Sequence, residues 1–165
     1  MYKKLHGFTL VELVIVIAVI GILVPVTMFS INGLSTTAQD RERESDATSI
    51  ARQLELVYTN KVIGGSATYP GTSSVTANAA GEAIFGGQTV QITKAPGSST
   101  FDILAASNTT QTTTGVSPQP SKGKYVYQPL TALNAACSSQ CGKFNLYYWS
   151  EAKKTVIMIK SMRQQ

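Results

Sequence analysis

Residues 7–31 read GFTLVELVIVIAVIGILVPVTMFSI, with Glu12 as the one charged residue in the run. A bilayer-crossing helix needs about 20 apolar residues, and this stretch supplies them. An acid inside such a helix costs free energy, so Glu12 calls for a partner. Ahead of it stands a basic stub, MYKKLH. Lys3 and Lys4 set the N-terminus on the cytoplasmic side and the C-terminus outside. A cleaved secretory signal would have a shorter apolar core and a small-residue cleavage site. Here the apolar run continues to Ile31 without an A-x-A pattern. A plain single-pass anchor matches the hydropathy but does not account for Glu12.

Working outward, the 165 residues suit one domain plus one long hydrophobic helix. The net charge of +5 includes Lys3 and Lys4, and no Lys/Arg run exceeds two residues. That pattern excludes a linear nucleic-acid stripe and reads as ordinary solubility. Beyond Asn32-Gly33, the segment Ser35–Asn60 reads as an amphipathic helix. Ala47, Ile50, Ala51, Leu54, Val57 and Tyr58 recur at helical spacing on one face. Arg41, Glu42, Arg43, Glu44, Arg52 and Glu55 occupy the other, expected to be solvated. With the apolar run this makes a helix from about Phe8 to Ile63, roughly 80 Å long. Ile63-Gly64-Gly65 is expected to stop it.

A Gly/Ser/Thr/Ala-rich loop follows to about Gly87 and contains Tyr69-Pro70-Gly71. Strands are expected at Gln88–Thr93, Thr100–Leu104, Tyr125–Gln128, Phe144–Ser150 and Thr155–Lys160. The last two flank Glu151–Lys154 and predict a hairpin. Alternation places Phe144, Leu146 and Tyr148 on one face and Asn145, Tyr147 and Trp149 on the other; one of these faces should lie on the amphipathic helix. Ser107–Lys124 is poor in apolar residues and reads as a surface loop. Asn108-Thr109-Thr110 matches a glycosylation sequon, a frequent chance match. Cys137 and Cys141 form a C-x₃-C pair. It could be half a zinc site, but the only histidine is His6 and no third cysteine exists. In an exported segment a Cys137–Cys141 disulfide is the better reading.

Gly7-Phe8-Thr9-Leu10-Val11-Glu12, followed by the long apolar helix, resembles the class III signal of type IV pilins and type II secretion pseudopilins. The run from Leu54 through Tyr58 to Tyr69-Pro70 also resembles the pilin pattern of an amphipathic helix followed by a YP loop. The resemblance implies cleavage after Gly7 by a prepilin peptidase, N-methylation of Phe8, and retention of the apolar run in the mature protein. It also implies that Glu12 meets the Phe8 amine of a neighbouring subunit and sets register, although Glu12 at a helix N-terminus also favours the helix dipole. Pilins commonly carry a glycine matching Gly21 and a proline about one turn later than Pro25, and lose helix between them in the filament. Here the pair implies either a short melted segment or a simple kink.

The expected architecture is therefore α+β, a long N-terminal helix packed on a small antiparallel sheet. It divides into a leader at 1–7, a transmembrane and filament-core helix at 8–31, its amphipathic continuation at 32–63, and a β head with its preceding loop at 64–165. No catalytic motif, metal site or cofactor motif is found: the head has no histidine, and Glu82, Asp102 and Glu151 are far apart in sequence. The expected function is a filament subunit, held by lipid in the cytoplasmic membrane as a single-pass protein and then assembled into an extracellular homo-oligomeric fibre. The resemblance supplies the partners: the prepilin peptidase, an assembly platform and ATPase motors. Adhesion, twitching motility and DNA uptake are the associated roles. Two alternatives are a secretion pseudopilin and a monomeric membrane-anchored binding domain.

Overall fold

The computed structural model describes residues 8–76, 84, 94–98, 100 and 102–164, with the backbone alone described at 26–33 and 76. The leader at 1–7 and the strand expected at Gln88–Thr93 lie outside the described residues. The chain divides into two compact units, one ending at Thr37 and the other running from Ala38 onward. A single helix, α1 (Leu10–Thr59), passes through that boundary and carries Pro25 in its interior. The backbone is helical through both Gly21 and Pro25. The resemblance implies either a short melted segment in a filament or a simple kink at that pair, and the helix described is that of the single chain.

α1 ends before the glycines. The Lys61 amide donates to the Tyr58 carbonyl (3.2 Å) and the Val62 amide to the Val57 carbonyl (3.2 Å). Lys61 itself has φ 53°. This is a Schellman stop with lysine in the left-handed position that glycine usually fills. Gly64 and Gly65, expected to stop the helix, take positive φ in the turn beyond it.

The second unit builds a four-stranded sheet in the order β1-β2-β3-β4 from β1 (Ile103–Ala105), β2 (Tyr125–Leu130), β3 (Lys143–Ser150) and β4 (Thr155–Lys160). β2, β3 and β4 are antiparallel neighbours, as expected, and β3–β4 is the predicted hairpin. β1 departs from the antiparallel expectation because it runs parallel to β2. Parallel neighbours need a long crossover, and residues 106–124 supply it. The first residues of the expected strand Thr100–Leu104 are used differently. Asp102 accepts hydrogen bonds from the Ala95 amide and the Thr100 hydroxyl and pairs with Lys124.

Phe144, Leu146 and Tyr148 pack on Ala47, Ile50, Ala51 and Leu54 of α1, which settles which face of β3 meets the helix. Tyr69 joins this core, edge-on to Phe144 at 5.0 Å between centroids. The Tyr127 hydroxyl donates to the Pro70 carbonyl (2.8 Å), so the Tyr69-Pro70 loop is bonded directly to β2. A Cβ on Gly71 would sit 1.9 Å from the Ser138 carbonyl oxygen, so only glycine allows this loop to lie against the cysteine segment.

The charged face of the amphipathic helix is not all solvated. Arg43 is only 3% exposed, and its Nε donates to the Lys122 carbonyl (2.8 Å). Asp40 accepts from the Ser150 hydroxyl and from the Glu151 and Ala152 amides, thereby capping the β3–β4 turn. Burial pushes the Asp40 carboxyl up, but these donors and Arg43 outweigh it and hold the group below its ordinary range. Glu55 accepts from the Tyr69 hydroxyl and the Met162 amide. Helical spacing placed Arg43 and Glu55 on the solvent-facing side because it does not show which loops return to cover a polar face.

The crossover is likewise more than a surface loop. Val116 is buried against Val126, Tyr147 and Val156 on the second face of the sheet. Beside them, the buried Gln128 amide uses its full hydrogen-bonding capacity. Oε1 accepts from Asn145 Nδ2 and the Tyr147 hydroxyl (both 2.9 Å), while Nε2 donates to the Asn108 and Thr110 carbonyls. Asn108 Nδ2, the atom a sequon would glycosylate, donates to the Gly115 carbonyl (2.7 Å) and is committed to the loop's own fold.

Two stability effects follow. Gln128→Leu leaves buried Asn145 and Tyr147 donors unpaired and should cost about 3 kcal/mol in denaturant unfolding of the full chain in detergent micelles; a loss under about 1 kcal/mol would show that the network does not hold the loop. The second concerns Asp46, whose carboxyl burial pushes up to about 6 against the opposing Tyr125 hydrogen bond. A raised folded-state pKa contributes stability that is complete below the unfolded value near 4 and lost as pH rises through about 6. Asp46→Asn should therefore stabilise the protein at pH 7 by about 1 kcal/mol, after discounting for partial solvent access, with the gain vanishing below pH ~4. A gain independent of pH would contradict the assignment.

Candidate functional site

The N-terminal part of α1 begins with Thr9, whose side chain explains where the helix starts. The Glu12 amide donates to Thr9 Oγ1 (3.2 Å), and Glu12 Oε2 accepts from the Thr9 amide (3.0 Å) and the Thr9 hydroxyl (2.7 Å). This reciprocal arrangement is a capping box, with Thr9 at the N-cap and Glu12 three residues on. The first helical hydrogen bond follows, from the Leu13 amide to the Thr9 carbonyl (3.3 Å). The role of Thr9 was not read from the sequence. The signal was present as T-L-V-E immediately before an apolar run. Glu12 therefore has a partner within its own chain, and its acid is less isolated than hydropathy implies. Oε1 has no partner among the described residues.

Beyond Glu12 the helix is apolar on every side. Large apolar residues from Phe8 to Val24 are between 44% and 81% exposed. A helix apolar all round is one that belongs inside something, and so extended an apolar surface marks an interface with lipid or protein. Among the described residues no helix is long and apolar enough to cross a membrane. The described apolar part, Leu10 to Pro25, spans about 24 Å against a hydrocarbon core of about 30 Å. The remainder of the span expected over 8–31 falls where only backbone is described.

Phe8, Glu12, Gly21 and Pro25 all belong to the first unit, and Gly7 lies outside the described residues. Cys137 and Cys141 belong to the second unit and are joined by a disulfide, which disposes of the zinc half-site. Cys141 exchanges both backbone hydrogen bonds with Tyr69 (2.8 and 3.0 Å), so the bridge anchors the Tyr69-Pro70 loop. Among the described residues no group of three potential metal ligands comes together. What the first unit offers is an apolar surface with one carboxylate at its start.

Residues 2–24 match the family model described as the prokaryotic N-terminal methylation motif. The match is consistent with type IV pilins and pseudopilins. No curated protein and no solved structure matches the chain.

The capping box has a direct consequence. Thr9→Ala should speed hydrogen exchange of the Leu13 amide in micelles about fivefold, and Thr9→Ser should restore protection. Equal exchange in all three proteins would show that the box does not hold the first turn.

Proposed function

We propose that this protein is a structural subunit of a type IV pilus-like filament, made as a precursor and assembled through its N-terminal helix. The observation that carries the reading is the methylation motif at residues 2–24 on a helix whose apolar side chains are exposed on all sides. A prepilin peptidase cleaves after Gly7, and the new Phe8 amine is methylated. Until assembly the run from Phe8 to Ile31 is held in the cytoplasmic membrane as a single-pass anchor with the C-terminus outside. Assembly on a platform driven by ATPase motors then transfers the helix from lipid to a bundle of like helices in an extracellular fibre. Adhesion, twitching motility or DNA uptake is the role of such a fibre.

The chemistry supports this sequence of events. In lipid there is no hydrophobic drive between helices, so association rests on packing and polar pairing. The Phe8 amine is cationic whether or not it carries one methyl group. Glu12 Oε1 is available to it across a subunit boundary, while Oε2 stays in the capping box. A misplaced neighbour leaves that carboxylate unpaired in a medium of low dielectric, which penalises wrong registers. Gly21 and Pro25 mark where the helix backbone is weakest and where the fibre form would lose helix.

Mass spectrometry of sheared surface fibres tests the reading. The expected product begins at N-methylated Phe8, and Glu12→Ala should lower fibre yield by about tenfold or more at unchanged membrane levels of subunit. Mature protein that retains Met1 and stays monomeric in the membrane would overturn the filament reading in favour of an anchored binding domain.

A further inference from the structure

Trp149 is the single tryptophan of the chain. It lies near the end of β3 and packs against the cluster of Val116, Tyr147 and Val156. It also lines an open surface pocket of about 420 Å³ with Ser121, Lys122, Glu151 and Lys154. The indole Nε1 donates to Glu151 Oε1 (2.9 Å), which restrains the ring plane. The same carboxylate pairs with Lys122 Nζ at 3.0 Å and Lys154 Nζ at 2.8 Å. Lys154 and Lys122 hold the Glu151 carboxyl down to about 2, so it stays ionised at any physiological pH.

The charges in this pocket do not cancel. Two ammonium groups share one carboxylate, and each has three donors, of which Glu151 engages one. Both lysine side chains are more than 70% exposed (71% and 73%), so their remaining donors face solvent beside the indole. Glu151, in contrast, has both oxygens engaged and offers little to an incoming hydroxyl. The pocket is therefore an aromatic platform edged by spare cationic donors.

We propose that this pocket binds a carboxylated pyranose, such as a uronic acid residue of a glycan. The ring's C–H face lies on the Trp149 indole, and its carboxylate is held by Lys122 and Lys154. Charge complementarity selects the acidic sugar over a neutral one. A single-stranded nucleic acid would need successive stacking platforms along a basic groove, and this site presents one indole and room for one ring. The inference rests on the second unit alone and is independent of the filament reading.

The lone tryptophan makes the test direct. Intrinsic fluorescence of the full chain in detergent micelles is titrated with a methyl glucuronoside, with methyl glucoside and with oligothymidylate. A saturable change is expected with the uronoside, at a half-saturation about tenfold below that of the glucoside, and weakened by added salt. Lys122→Gln with Lys154→Gln should erase that preference, and the corresponding arginine pair should keep it. If the glutamine pair does not fold, as judged by circular dichroism, the wild-type ratio and its salt dependence decide alone. Equal response to both sugars, no response to either, or saturation by oligothymidylate alone would overturn the proposal.

Discussion

The constraint on which this molecule turns is the apolar surface of the first part of α1. From Phe8 to Val24 no side of the helix is polar enough to face water. Exposing one large aliphatic side chain instead of burying it costs on the order of 1.5–3 kcal/mol, and more than ten such residues lie within this stretch. So extended an exposed apolar surface marks an interface with lipid or protein. Thr9 and Glu12 govern how that surface begins. The capping box satisfies amides that would otherwise be orphaned at the helix start and keeps a carboxylate at the edge of the apolar region.

The unit beginning at Ala38 is organised on different principles. Its core is the face of Ala47, Ile50, Ala51 and Leu54 laid on Phe144, Leu146 and Tyr148. Around that core, polar groups hold several of the described excursions of the chain. Asp40 caps the β3–β4 turn, Arg43 holds the end of the crossover, Glu55 ties the Tyr69 ring and the Met162 amide, and Gln128 fastens the crossover to the sheet. The disulfide closes a short loop whose backbone pairs with Tyr69. Asp40 and Asp102 carry lowered pKa values and so contribute stability above the ordinary carboxylate range, lost as pH falls through their folded-state values. Asp46 acts in the opposite sense. The result is a small domain whose loops are held by specific hydrogen bonds as much as by apolar burial.

Much of this was legible from residue patterns. Helical spacing of Ala47, Ile50, Ala51 and Leu54 identified the buried face, and alternation in Phe144–Ser150 sorted the strand into two faces without showing which of them meets the helix. The Cys137–Cys141 pair followed from their isolation from other ligands and from the compartment. Other features were hidden because they depend on contacts distant in sequence. Arg43 looks solvated until the crossover returns over it, and Gln128 looks like an ordinary strand polar residue until Asn145, Tyr147, Asn108 and Thr110 are gathered around it. The parallel placement of β1 is encoded in the length of residues 106–124, which composition alone presents as loop. Lys61 shows a further limit, because a left-handed helix stop was taken by lysine with two glycines available just beyond. Thr9 is a different case: its signal was local and was overshadowed by the question of Glu12.

What covers the apolar helix decides between a filament subunit and an anchored domain. Helical reconstruction of isolated fibres by electron cryomicroscopy measures this directly. The account predicts a fibre core of packed helices from residue 8 onward, with the Glu12 carboxylate of one copy within ion-pair distance of the Phe8 amine of the next. A fibre built without these helices in its core, or the absence of any fibre with the helix remaining in lipid, would contradict it.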